Sequence, residues 1–186
     1  VVRCDLTDAD AVIAVATEVV ESWGGIDAVF HCAGSLADSR LIHLSPDQFE
    51  RGLAAKVEGT IHLYEAVAQA APGLSHFVLY SSVLTLGGNA GQAAYVAGCS
   101  FQDHMAAYLR QRGVPVQLIQ WGRWEEAGSV ARDHHREILD NLGFLGIRTA
   151  KALGQLDEIL ASGQADSIVS ELADWKRAEL LKGVAK

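Results

Sequence analysis

Hydrophobic positions along this chain follow two rhythms: short, nearly all-apolar runs and longer stretches with a helical repeat. Val12, Ile13, Ala16, Val19 and Val20 recur at helical spacing. They follow Thr7-Asp8-Ala9-Asp10, which has capping-box spacing with Asp in place of Glu or Gln, and Gly24-Gly25 ends that helix. Ser45-Pro46 opens a second helix, Ser as N-cap and Pro in the first turn, with Phe49, Leu53, Val57, Ile61 and Tyr64 as its stripe. A Gly-rich loop at 86–89 leads to a third helix over about 92–111; a polar helical stretch is expected over 129–143 and another helix over 150–161. The apolar runs at 1–3, 28–31, 76–80, 116–119 and 168–169 predict strands.

Apolar strands alternating with helices predict an α/β fold: a Rossmann-like doubly wound parallel sheet with helices on both faces, in a single domain over 1–186. Ligands of such sheets bind beyond the C-terminal strand ends. His31-Cys32-Ala33-Gly34, Ser81-Ser82 and Trp121-Gly122 follow three of those ends.

Composition narrows the function. Hydrophobic residues make up 49% of the 186 and charged residues 20%, enough for a core. A net charge of −8 speaks against nucleic acid, which needs a basic face. Cys4, Cys32 and Cys99 are scattered, without metal-ligand spacing or a disulfide framework, so a reducing, cytoplasmic setting is expected. No apolar run has membrane length, and no signal peptide is seen. His134-His135 lacks a third ligand, so no metal is expected. The opening on Val1, inside an expected strand and without Met, points to a fragment.

The informative set is Ser82, Tyr95 thirteen residues later on the following helix, and Lys56 on the preceding one. A strand-end Ser can hydrogen-bond a substrate carbonyl. A Tyr one loop away can protonate that oxygen as hydride arrives at the carbon. Free Tyr titrates near pH ~10, and a nearby Lys cation favours the phenolate. Singly, Ser82 and Tyr95 each have an ordinary alternative: a loop or helix cap, and helix packing.

Together these residues resemble the short-chain dehydrogenase/reductases, and more narrowly the ketoreductase domains of polyketide synthases. The resemblance rests on Ala55-Lys56-Val57-Glu58-Gly59-Thr60, Phe77-Val78-Leu79-Tyr80-Ser81-Ser82, Gly91-Gln92-Ala93-Ala94-Tyr95 and Trp121-Gly122-Arg123-Trp124, over residues 1–172. It implies Tyr95 as proton donor, Ser82 as carbonyl-orienting group and Lys56 as the residue that tunes Tyr95. It implies NADPH as cofactor, with Asp5 near the adenine, His31, Ala33 and Gly34 by the ribose, Lys56 and Tyr95 within reach, and Gly122 by the nicotinamide. For Asp5 a plain turn and helix-start role competes. The segment 124–147 would be a substrate lid. The substrate would be a β-ketoacyl chain on the phosphopantetheine arm of an acyl carrier protein, among neighbouring synthase domains.

Two departures stand out. The family usually has Asn four residues after the Tyr; this chain has Cys99, a weak hydrogen-bonding group. Tyr95-Val96-Ala97-Gly98-Cys99-Ser100-Phe101-Gln102-Asp103 resembles the ketoreductases of trans-acyltransferase synthases, where Cys appears there. A reactive thiol at Cys99 has no basic neighbour in sequence to support it. Secondly, the Gly-rich dinucleotide loop and its strands are absent, which leaves the first strand without a neighbour and an edge of the sheet unpaired. On that ground the exact chain is expected to be unstable and inactive alone. Leu36-Ala37-Asp38 keeps one Asp of the motif found in members giving the D-hydroxy product (B-type), and Gly87 stands where A-type members have Trp, which leans to B-type, with a solvated loop carboxylate as the competing role for Asp38. The expected reaction is thus NADPH-dependent reduction of a β-ketoacyl thioester. Its rivals are a degenerate structural subdomain and a free-standing reductase, the latter opposed by Cys99 at the position of that group's Lys.

Overall fold

The computed structural model describes residues 1–127 and 143–173. The polar stretch over 129–142, with His134 and His135, and the tail from Trp175 lie outside the described residues, as does the middle of the expected lid.

Helix α1 (Ala9–Trp23) is capped by Asp8, which accepts from the Ala11 N–H at 3.1 Å, and it ends at Gly24 in the left-handed region, φ 87°. Thr7, the expected cap, instead donates both its N–H and its hydroxyl to Asp5. β1 (Ala28–His31) follows. Helix α2 (Pro46–Ala70) starts in a full capping box between Ser45 and Gln48. β2 (His76–Ser82) runs into a 3₁₀ turn (Val83–Leu86) and then α3 (Ala93–Arg110). β3 (Val116–Trp121), β4 (Phe144–Leu145), α4 (Thr149–Ser162), β5 (Asp166–Val169) and β6 (Glu171–Leu172) complete the described elements.

Four strands form one parallel sheet in the order β1-β2-β3-β5. Helices cover both faces, as expected. Phe77, Leu79, Val116 and Leu118 pack with Ala106 and Leu109 of α3; Val78, Ile119, Trp121 and Val169 pack with Ala152 and Ile159 of α4. Residues 1–3, expected as a strand, are not one: Val1 and Val2 are exposed and unpaired. β-branched residues hold a strand only when a ladder partner satisfies their backbone, and none is offered among the described residues. β1 is accordingly an edge, with Phe30 half-exposed.

A two-residue antiparallel ribbon, β4 with β6, was not expected from the sequence. Its Phe144 is 1% exposed and wedges against Val83 and Leu84, beside Tyr95 and Val96. Helices α2 and α3 meet along rungs four residues apart. A Cβ on Gly52 would stand 2.6 Å from that of Ala94, and one on Gly98 would stand 3.2 Å from Lys56 Cβ; Gln102 hydrogen-bonds Thr60. Bare or small residues on these rungs let the two helices approach closely.

Candidate active site

Close approach of α2 and α3 brings Lys56 and Tyr95 together, at the C-terminal end of β2 where Ser82 sits. Lys56 is 4% exposed, and its Nζ donates to the Tyr80 carbonyl at 2.8 Å and to Gln102 Oε1 at 2.9 Å. The ammonium lies 5.8 Å from the centroid of the Tyr95 ring. Burial pulls its pKa down, opposed by Cys99, Cys32 and Asp103.

Tyr95 sits in the first turn of α3, wedged beside Phe144. Burial pushes its phenol well above the ordinary value, Cys99 and Asp38 push the same way, and the Ser82 hydroxyl pulls back. The sequence led us to expect Lys56 as the residue that tunes Tyr95. In the structure two of its N–H groups go to Tyr80 and Gln102, and desolvation dominates at Tyr95. Ser82 Oγ accepts from the Leu84 N–H at 3.2 Å, capping the 3₁₀ turn and leaving its own proton to donate.

Cys99 is fully buried on the face of α3 that meets Lys56. Its basic neighbour, invisible along the sequence, comes across from α2. Burial nevertheless raises the thiol pKa, with Lys56 pulling less strongly the other way. That is the profile of an inert thiol rather than a reactive one.

Asp38 also joins the site. Gln92 Nε2 donates to both its oxygens, at 3.2 and 3.4 Å, and the Ser39 N–H donates to the Gly91 carbonyl. Together these clip the 35–39 loop to the start of α3. Gly87 ends the 3₁₀ turn, near Asn89, which donates to Gln92.

His31 closes β1 and is 1% exposed. Neither ring nitrogen makes a well-aligned hydrogen bond among the described residues, and burial, with Lys56 adding to it, lowers its pKa to about 4. The Ala33-Gly34 turn runs past the Lys56 stem: a Cβ on Gly34 would touch Lys56 Cε at 3.4 Å. Gly122 is bare for a reason internal to the protein, since a Cβ there would stand 2.7 Å from Ser170 Oγ. Asp5, far from this cluster in chain order, is fully exposed; its Oδ1 holds Thr7, which lowers its pKa. Trp121 and Trp124 stack edge to face at 5.0 Å and pack into the core beside Tyr80.

Sequence reasoning missed Gln102 and Thr60, both fully buried against Lys56, and Asp103, which holds Ser81 and Gln120. The only available signal was their helical spacing from Lys56 and Tyr95. A hydroxyl donor, a phenol and an ammonium at the end of a parallel sheet can hold a carbonyl and protonate its oxygen. Among the described residues no group of His, Cys, Asp and Glu could hold a metal ion, and no helix is long and apolar enough to cross a membrane.

Known proteins resemble this chain in sequence and in fold. The sequence model of the family described as the KR domain matches residues 1–126. The chain is 36% identical over 160 residues to polyketide synthase ThaG of Burkholderia thailandensis, covering 86% of this chain and 3% of that protein. It is 34% identical over 176 residues to polyketide synthase GfsA of Streptomyces halstedii, covering 95% of this chain and 2% of that protein. A solved A1-type ketoreductase superposes with a TM-score of 0.86 at 30% identity, covering 94% of this chain and 36% of the other. The chain thus spans a small part of these synthases and about a third of a solved ketoreductase chain.

Proposed function

The chain belongs to the KR domain family, the ketoreductases of polyketide synthases, and from that premise we propose that it is the catalytic part of a ketoreductase that reduces a β-ketoacyl thioester to a β-hydroxyacyl thioester. The observation that supports this most is the meeting of Lys56, Ser82 and Tyr95 at the end of β2. Ser82, with a proton to donate, orients the ketone oxygen. Tyr95 gives that oxygen its proton and is reprotonated from solvent.

NADPH, when bound, supplies the hydride that goes to the carbonyl carbon, so that ketone, NADPH and one proton become alcohol and NADP⁺. The residues present fit its nicotinamide end. Two acceptors hold the Lys56 ammonium, which leaves its third N–H without an acceptor among the described residues, beside the Ala33-Gly34 turn. His31 is buried two residues before that turn with its ring toward Gly59 of α2, and Gly122 and Asp5 are lesser candidates, because Ser170 and Thr7 already account for them.

Residues 1–186 are read as one unit, with 124–147 as the lid. The Cys99-containing run supports the trans-acyltransferase type. Asp38, clipped beside Tyr95 with Gly87 in place of a Trp, supports the D-hydroxy (B-type) product. The substrate partner is an acyl carrier protein bearing its chain on phosphopantetheine, and the length of the synthases that the chain resembles supports neighbouring domains in the same protein.

The test uses the full-length protein that contains this chain and follows NADPH absorbance with a β-ketoacyl pantetheine thioester. Tyr95→Phe is expected to lower kcat by about 10²–10⁴-fold while NADPH binding persists. Undiminished turnover in Tyr95→Phe defeats this reading. Cofactor binding without turnover on several ketoacyl thioesters gives the lead to a degenerate domain.

A further inference from the structure

Lys56 is the only lysine in the first 150 residues, and it is buried. A buried ammonium is stable only if its N–H groups find acceptors. Two of the three do. One acceptor is the Tyr80 backbone carbonyl, which any sequence would supply; the other is the side-chain oxygen of Gln102, itself fully buried.

The amide of Gln102 is held one way round. Its Nε2 donates to Thr60 Oγ1 at 3.2 Å, and Thr60 Oγ1 donates its own proton to the carbonyl of Lys56. With that proton committed, the Thr60 oxygen can only accept from Gln102. The amide must therefore present its NH₂ to Thr60 and its oxygen to the ammonium; the reverse orientation would set two donors against each other. The hydrogen bonds form a closed ring that starts and ends on residue 56: ammonium to Gln102, Gln102 to Thr60, Thr60 to the Lys56 carbonyl.

We propose that Gln102 and Thr60 are positioning residues for Lys56, a buried side-chain clamp that fixes the ammonium in place and leaves its remaining N–H for the reaction site. The proposal deepens the ketoreductase reading, and it gives a reason why a thiol at 99 is tolerated. A family Asn at that position could hold the Lys; here the neighbouring turn of the same helix does so. Cys99 lies within electrostatic reach of the ammonium without having to bind it. The other groups facing Lys56 are His31 and Cys32 from the end of β1, and Tyr95, Cys99 and Asp103 from α3. These groups are the same in the unaltered protein and in each position-102 variant, so the comparison of Gln102→Leu with Gln102→Glu reads the change of acceptor at Lys56 against a common background.

The test again uses the full-length protein. Competitive acetylation, read by mass spectrometry on the peptide that holds Lys56 alone, titrates the ammonium without reference to turnover. Gln102→Leu is expected to move that titration to lower pH and Gln102→Glu to higher pH. Thr60→Val, which frees the amide to turn, should shift it downward; Thr60→Ser should restore the original value. In the reductase assay, Gln102→Leu should lower kcat by about 10–100-fold with KM little changed. Because the charged ammonium is needed, its alkaline limb should move to lower pH and that of Gln102→Glu to higher pH. A Lys56 titration that stays put in both folded Gln102 variants, or moves the same way in both, overturns the clamp. If the unaltered protein reduces no ketoacyl thioester while the titrations shift as stated, the clamp stands and the reductase reading falls.

Discussion

Strands β2 and β3 are mainly dry toward their starts, the pair of His76 and Gln117 apart, and toward their ends polar side chains join Ile119 and Trp121 in the interior. The dry half and the polar half are built by different rules. In the lower half, Phe77, Val78, Leu79, Val116 and Leu118 are buried against α3 and α4, and apolar area is what holds them. In the upper half the sheet turns polar without becoming exposed. Ser81 donates to Asp103, Gln120 donates to Asp103 and Thr85, and Lys56 reaches in from α2. Dry packing tolerates any shape that fills the space. A buried polar cluster favours the arrangement that leaves fewest donors without an acceptor, because each orphan costs about 1–3 kcal/mol. The dry half therefore sets how stable the sheet is, and the polar half sets where side chains point. The chemistry falls in the second.

The contrast can be broken first from the dry side. Leu79→Ala empties a site with no exposed surface and should cost about 2–5 kcal/mol in urea unfolding followed by Trp fluorescence. A loss under about 1 kcal/mol would show that the dry half is not what holds the sheet.

The second effect distinguishes the halves by pH. His31, at the top of β1, has a folded pKa of about 4 against 6.5 for the free group. The unfolded chain thus binds more protons between these values. Stability is full above pH 6.5 and falls as the pH drops toward 4, by roughly 3 kcal/mol. In His31→Asn the urea midpoint should lose most of its slope across that window, whereas Leu79→Ala should leave the slope alone. A retained slope in His31→Asn means other groups set the acid sensitivity.

The smallest effect tests closure of the polar half. Ser81→Ala removes one of two donors from Asp103 while Gln120 remains, so about 1 kcal/mol is expected from the same unfolding curves. A much larger loss would mean that the cluster acts as one unit.

The dry half was largely legible in the sequence. Nearly all-apolar runs gave β2 and β3, Ser45-Pro46 gave the start of α2, and Gly24 gave the end of α1. Residues 1–3 misled because β-branched composition states a preference that only a partner strand can fulfil. The β4–β6 ribbon was hidden because two residues a side carry no period; it exists because Phe144 needs a place to be buried. In the polar half the reacting set could be named, but its wiring could not. Gln102 and Thr60 look like ordinary polar positions on amphipathic helices, and only the crossing of α2 with α3 turns them toward one another. The same crossing gave Cys99 a cationic neighbour that lies 43 positions away along the chain.

Gly52 extends this point beyond the residues that react. It faces Ala94, directly before Tyr95, and stands one turn ahead of Lys56 on α2. The separation between phenol and ammonium is thus governed by a missing methyl group that touches neither. A graft of the reacting residues onto another pair of helices would reproduce the chemistry only if it also reproduced that empty space. The tolerance of the site is inherited from how near two backbones can lie, and a chain could lose its alignment while every residue that meets the substrate stayed the same.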